Sequence, residues 1–200
     1  MDFLPALLAA LPALDRGEEV AGPWRLRRAG ALDLFGTGEC WLEDAQGGDA
    51  FGFGAGVAYL VLDADPVLDA DPVLGTEPVR GTEPVLDAAP QCPSVVALLL
   101  HHGDTPPVEA GEDGDRVDTD SGVLMLHALP APGRAALLDR ATAGRSAGSP
   151  AGAEFADGWL MLPDRTAGGP ALVMLVDADG YRVVPVLDAD GRPTAVLVHR

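Results

Sequence analysis

Two aspartates and a histidine are the residues of this sequence best suited to acid/base chemistry. Asp118 and Asp120 lie two positions apart in the run VDTDSG (117–122), and His127 follows at the end of the next apolar run. A carboxylate beside an imidazole can transfer a proton or bind a metal ion. The DSG run also matches the D-[ST]-G of aspartic proteases, but those enzymes need two such carboxylates sharing a proton. Asp118, Asp120 and His127 are therefore candidates for a metal-dependent or acid/base hydrolase.

Three other motifs match functional patterns, but their surroundings argue against those functions. GRSAG (144–148) matches the nucleophile elbow, which joins a strand to a helix, whereas here a predicted helix precedes it. GFGAG (52–56) lacks both the third-glycine spacing and the following helix of a dinucleotide-binding fingerprint. The two DADG runs (177–180 and 188–191) lack the bidentate Glu of a calcium loop. We expect no cofactor.

The spacing of the remaining potential metal ligands does not predict a metal site. His101 and His102 are adjacent, so in a strand their side chains point to opposite faces and cannot both bind one ion. One of them could still join His127 and an acidic residue. Cys40 and Cys92 lie in unrelated contexts, which supports neither a zinc site nor a disulfide scaffold. A reducing cytoplasm is the expected location.

The chain contains no lysine, and this absence excludes several enzyme classes. All 13 basic side chains are arginine. A Walker-type phosphate site, a Schiff base and a Ser-Lys dyad each require a lysine. Isoleucine and asparagine are also absent. Because these three amino acids have AT-rich codons, the composition indicates a GC-rich genome.

The sequence is strongly acidic, with 31 carboxylates and a net charge of -18. The field of such a chain repels a phosphate backbone, which excludes nucleic acid as a partner, and suits a basic protein instead. Seven of the carboxylates lie between residues 104 and 120, mostly in a predicted polar loop over 103–115. The candidate binding surface consists of Asp104, Glu109, Glu112, Asp113 and Asp115.

Two hypotheses for the function follow. The first is a non-catalytic, immunity-like protein that offers this acidic surface to a basic partner, which needs no catalytic motif. The second is the hydrolase that uses Asp118, Asp120 and His127. Convergence of these three side chains in a concave site would favour the enzyme, whereas their dispersal would favour binding. We favour the first hypothesis and leave the oligomeric state open.

The apolar pattern predicts two helices. Leucines at 4, 7, 8, 11 and 14 follow helical spacing, and Pro12 is expected to kink or end this helix. The segment starts with Asp2 and lacks both Arg and a small-residue cleavage site, so we expect a core helix and neither a signal peptide nor a membrane anchor. Pro130 and Pro132 are expected to open a second helix near 132–143.

Short apolar runs separated by glycines predict strands over most of the remaining sequence. The clearest are 94–102, 123–128 and the last thirty residues, in which the two DADG runs are predicted to be hairpin turns. We therefore predict an α+β or mainly β fold. It would be a single domain over 1–200, with an antiparallel sheet or sandwich, one or two peripheral helices and a C-terminal three-stranded meander.

Residues 61–90 form five nearly identical hexapeptides, VLDADP in the first copy. Hexapeptide periods occur in left-handed β-helices, but thirty residues give fewer than two coils, and the proline in each copy removes a backbone donor. We favour an extended, polyproline-like or edge-strand insertion at the periphery of the domain. A β-helix fragment is the alternative.

Two patches of the C-terminal half resemble a known family. VDTDSG (117–122), followed by a strand and a helix, is similar to the VDAGTG element of the bacterial domain-of-unknown-function family 4241. DGYRVVPV (179–186) and LDADG (187–191) resemble a later segment of that family. The sequence differs from the family pattern at Asp120, where the family has Gly, and between Tyr181 and its proline. The resemblance implies a fold class and a bacterial source, without a reaction.

Overall fold

The computed structural model describes most of the chain. The described residues are 3–33, 40–44, 48–51, 55–63, 93–112, 114–128, 131–144, 154–155, 157–162, 170–177 and 180–200. The helices are α1 (Leu4–Asp15) and α2 (Ala131–Gly144). The strands are β1 (Trp24–Asp33), β2 (Cys40–Glu43), β3 (Gly48–Phe51), β4 (Ala55–Asp63), β5 (Val95–His101), β6 (Glu109–Ala110), β7 (Asp115–Asp118), β8 (Val123–His127), β9 (Trp159–Leu162), β10 (Ala171–Leu175), β11 (Gly180–Leu187) and β12 (Pro193–His199).

The strands form two antiparallel sheets. The seven-stranded sheet has the order β1-β4-β5-β12-β11, and β6 and β7 both pair with β11 at its edge. The five-stranded sheet has the order β3-β2-β8-β10-β9. The predicted class, α+β or mainly β with antiparallel sheets and peripheral helices, is confirmed.

The two sheets share a core of alternating inward-facing side chains. Leu60, Leu98 and Val198 from the seven-stranded sheet belong to one buried cluster with Leu126 and Leu172 from the five-stranded sheet. Each fully buried leucine contributes about 1.5–3 kcal/mol to folding. The sheets are therefore two layers of a sandwich.

Each helix covers the outer face of one sheet. Leu7, Leu11 and Leu14 of α1 pack with Leu99 and Leu197 of the seven-stranded sheet. Leu137 and Ala141 of α2 pack with Met125 and Val173 of the five-stranded sheet. The order of layers is thus helix, sheet, sheet, helix.

The N-terminal helix was predicted correctly, and it does not end at Pro12. Pro5 lies in the first turn, where its missing amide hydrogen costs nothing. The helix continues through Pro12 to Asp15 and ends there. Burial of Leu11 and Leu14 on either side of Pro12 offsets the lost backbone hydrogen bond.

The predicted C-terminal three-stranded meander is wrong, because β10 belongs to the five-stranded sheet and pairs with β8 and β9. Of the three strands β10, β11 and β12, only β11 and β12 pair with each other, as a hairpin. Its turn is the second DADG run, in which Asp188 accepts hydrogen bonds at 2.9 Å from the amides of Asp190 and Arg192. Gly191 has a φ of +76°, as the turn requires. These bonds, first that from Arg192, lower the pKa of Asp188.

The predicted acidic loop over 103–115 contains part of the sheet edge. β6 lies within it, and β7 begins at its last residue. The gap between β6 and β7 lies opposite Pro185 of β11. The carbonyl of Pro185 accepts a hydrogen bond from the amide of Gly111 at 2.8 Å. In an antiparallel strand the amide and carbonyl of one residue point to the same side, so the missing amide hydrogen of Pro185 also faces this edge. The ladder is interrupted there for lack of a donor.

The hexapeptide tract connects two paired neighbouring strands. Its first three residues end β4, and residues 64–92 lie outside the described part of the chain. Leu62 pairs with Val95, and the amide of Asp63 donates to the carbonyl of Ser94 at 3.0 Å. The segment therefore starts and ends within one β-hairpin, β4–β5.

Within the described ranges, neither helix has the length and apolar character needed to cross a lipid bilayer.

Candidate functional site

The candidate binding surface lies along the β6–β7 edge of the seven-stranded sheet. The side chains of Asp104, Glu109, Glu112 and Asp115 are all exposed. Glu109 opens β6 and Asp115 opens β7, so the pairing of both strands with β11 positions them on one edge. Asp113, the fifth predicted residue, lies outside the described part of the chain.

The carboxylates of this edge are not neutralised by described arginines. Among the described residues, Asp104, Glu109, Glu112 and Asp115 form no ion pair, whereas most of the described acidic residues elsewhere do. Arg116 of β7 also lies on this edge, and its Nε is 2.8 Å from the Asp118 carboxylate. The edge therefore keeps a negative charge that is available to a partner.

The three candidate catalytic residues have separate contacts. Asp118 is 72% exposed and pairs with Arg116. Asp120 is exposed, and its amide donates to the buried Asp44 carboxylate at 2.9 Å. His127 is the last residue of β8 and is 1% exposed. It lies four positions after the first residue of that strand, a rise of about 13 Å. These contacts do not bring the three side chains into one pocket.

His127 is instead bound to a glutamate that the sequence analysis missed. Trp41 pairs with His127 and Glu43 with Met125, so the side chains of Glu43 and His127 are diagonal neighbours on the outer face of the five-stranded sheet. The Nε2 of His127 lies 2.9 Å from Oε1 of Glu43, and both side chains are at most 4% exposed. An imidazole with its hydrogen on Nε2 donates this bond.

An arginine from α2 completes this polar cluster. The Nε of Arg134 lies 3.4 Å from Oε1 of Glu43, and its Nη1 donates to Oε2 at 3.4 Å. The Arg134 side chain is 44% exposed, so it reaches the buried carboxylate from the solvent side. We name Glu43, His127 and Arg134 the carboxylate cluster.

Burial sets the protonation of His127. Desolvation lowers its pKa, while the hydrogen bond and the charge of Glu43 act in the opposite direction and Arg134 lowers it further. The ring is therefore neutral at neutral pH. A general base must reach the proton that it abstracts, and a ring that is 1% exposed offers no access to a substrate.

Asp44, next to Glu43, fixes the turn that contains Asp120. Its carboxylate is 3% exposed and accepts hydrogen bonds from the amides of Asp120 and Ser121 at 2.9 and 3.3 Å. Gly122 has a φ of +68°, which the turn requires. The DSG run is thus a capped turn between β7 and β8.

The two patches that carry the family resemblance are in direct contact. Val117 pairs with Tyr181, and Asp118 pairs with Gly180. The hydroxyl of Thr119 donates to the carbonyl of Asp177 at 3.1 Å. The β7–β8 and β10–β11 connections, each of which passes from one sheet to the other, therefore lie side by side. These contacts between the two connections stabilise the fold.

The sequence analysis missed Glu43, Asp44 and Arg134, and the only available signal was weak. Glu43 and Asp44 adjoin the short apolar run CWL, where a carboxylate is usually exposed. The pattern that could have indicated a buried polar cluster is the pair of adjacent acidic residues directly after this apolar run. Their partners are 76 to 91 residues away in the sequence.

The part of the chain that the structure describes contains no group of three or more His, Cys, Asp or Glu side chains placed to hold a metal ion. No family model, curated protein or solved structure matches this chain.

Proposed function

We propose that this chain is a non-catalytic, immunity-like binding protein whose β6–β7 edge docks a basic protein. One observation carries the proposal: Glu109, Glu112 and Asp115 are exposed on one sheet edge, and no described arginine pairs with them. Unpaired carboxylates on an exposed edge attract a cationic surface without the cost of breaking existing ion pairs.

The charge of the whole chain supports the same partner. A net charge of -18 accelerates the encounter with a basic protein and opposes the approach of nucleic acid. Separate contacts of Asp118, Asp120 and His127 count against the hydrolase hypothesis. The proposal also includes a bacterial source, supported by the resemblance to family 4241, and a cytoplasmic location, supported by the unrelated sequence contexts of the two cysteines.

The experiment compares two variants with equal loss of negative charge. The edge variant carries Glu109→Gln, Glu112→Gln and Asp115→Asn. The control variant carries Glu18→Gln, Asp139→Asn and Asp190→Asn, which are exposed carboxylates elsewhere on the chain. Each protein is purified with its complexes from cells that naturally make the chain, and the affinity for the recovered partner is measured by calorimetry at several salt concentrations.

We expect a stoichiometric partner rich in Lys and Arg. The edge variant should bind it at least about tenfold more weakly, because each lost interfacial charge pair costs on the order of 1 kcal/mol. The control variant should keep most of the affinity. Equal weakening in both variants would show a general charge effect, and recovery of the chain without a basic partner would contradict the proposal outright.

A further inference from the structure

The carboxylate cluster holds one buried anion between two groups that can be cationic. Glu43 is 4% exposed, His127 is 1% exposed, and both contact each other at 2.9 Å. Arg134 reaches the same carboxylate from α2 and keeps 44% of its side chain in solvent. One positive charge neutralises the buried carboxylate, and a second positive charge in the same place is costly to bury.

The protonation state of His127 decides which cation Glu43 needs. With a neutral imidazole, the positive charge comes from Arg134, and the cluster has no net charge. With a protonated imidazole, His127 and Glu43 form a neutral pair by themselves, and Arg134 becomes a surplus cation. Of the two cations, only Arg134 can move into water without unfolding the sheet, because His127 lies within β8.

We propose that the carboxylate cluster is a proton-operated latch, in which protonation of His127 transfers Glu43 from Arg134 to His127 and loosens α2 from the five-stranded sheet. The device does not depend on the acidic edge, which lies on the other sheet.

The attachment of α2 is light enough for one polar contact to matter. Of the α2 side chains that the structure describes, Leu137 and Ala141 are buried, and Leu138 packs partly against the same cluster. Arg140 pairs with Glu154 in an exposed ion pair, which contributes little. Among the described side chains near the start of the helix, Arg134 contacts the five-stranded sheet through Glu43.

Among the described residues, the charged groups that act on His127 from neighbouring elements include Glu43 of β2 and Arg134 of α2. The residue paired with it on β10 is Ala171, which does not titrate. Burial, the largest effect, lowers the pKa of His127, so the latch is closed at neutral pH and opens on acidification. The direction follows because the unfolded or released imidazole binds a proton more readily than the buried one.

The test measures α2 and His127 in the same samples. Hydrogen exchange of the amides in 131–144 is followed from about pH 7.5 to about pH 4.5, corrected for intrinsic rates, and NMR of the imidazole reports the titration of His127. We expect protection of α2 to fall about fivefold as His127 titrates, the value of one solvent-accessible ion pair. Protection of β5 and β12 should stay constant.

Two variants separate the latch from other effects of pH. His127→Gln keeps a donor near the Nε2 position but does not titrate, so its α2 protection should be independent of pH. Arg134→Gln removes the transferred cation, so its protection should be low at every pH. If His127→Gln does not fold, Arg134→Gln and the wild-type titration still decide the outcome.

Three results would overturn the latch. The first is titration of His127 without any change in α2. The second is an equal loss of protection in α2, β5 and β12, which would indicate global unfolding. The third is an unchanged pH dependence in either variant, which would assign the effect to another group.

Discussion

Replacing residues 64–92 by Gly-Ser-Gly-Ser should stabilise the protein. The replaced segment holds most of the hexapeptide tract and connects β4 to β5, whose ends are joined by the hydrogen bond from Asp63 to Ser94. Thirty residues now separate these two residues, and five would remain, including Pro93. Closure entropy scales as (3/2)RT ln n, so the shorter connection favours folding by about 1.6 kcal/mol.

Urea denaturation followed by tryptophan fluorescence measures this change, since Trp24, Trp41 and Trp159 all lie outside the replaced segment. A gain of this size corresponds to a rise in melting temperature of about 5 °C for a chain of this length. The matched control replaces residues 64–92 by a Gly/Ser segment of equal length. It should be as stable as the wild type if the tract contributes only its length.

A lower stability of the shortened protein would refute this reasoning. It would mean that the tract contributes contacts worth more than the closure entropy. Destabilisation of the equal-length control would lead to the same conclusion, and would show that the tract sequence is needed. Both measurements should be made at moderate salt, because the tract carries 7 of the carboxylates.

Three further predictions concern positions that shape the fold. Gly158 and Gly191 have similar φ values of +83° and +76°, but a Cβ on Gly158 would collide with the Pro93 carbonyl, whereas Gly191 has free space. In urea denaturation, Gly158→Ala should lower the free energy of unfolding by well over 2 kcal/mol and Gly191→Ala by about 1 kcal/mol. Equal losses of stability would contradict the clash. Asp44→Ala removes the acceptor of two amide hydrogens and should cost about 1–3 kcal/mol, with a smaller loss for Asp44→Asn; a neutral Asp44→Ala would exclude the capping role. Asp188→Ala should be less stable than the wild type above pH 3.8, and the difference should disappear as the pH falls through the lowered pKa of Asp188; a difference that persists in acid would rule out the charged carboxylate as its source.

Local sequence predicted the strands well but not the sheet to which each belongs. The apolar runs at 94–102 and 123–128 correspond to β5 and β8. The two DADG runs have the same four residues, yet only the second closes a hairpin. The difference comes from distant contacts: the Asp177 carboxylate accepts hydrogen bonds from Ser94 and Arg200, 83 and 23 residues away. No local pattern encodes such a connection between sheets.

The exposure of the carboxylates on the β6–β7 edge could be predicted from the sequence. A run rich in Asp and Glu without apolar alternation is expected on the surface, and the described carboxylates of 104–115 are exposed. The carboxylate cluster was not predictable, because the two residues of the Glu43–His127 pair are 84 positions apart and their contact depends on the pairing of β2 with β8. That pairing is fixed by the shared core and by no feature of either strand alone.

The interruption of the β6–β7 edge at Pro185 also affects how copies of the chain behave at high concentration. A long, regular edge strand would be a template for strand addition and aggregation. Here the edge consists of two residues in β6 and four in β7, bears Glu109 and Asp115, and has a proline opposite the gap. Strand addition by another copy at this edge is therefore opposed by both geometry and charge. A protein that binds this edge must recognise its side chains, and it will detach as salt is added.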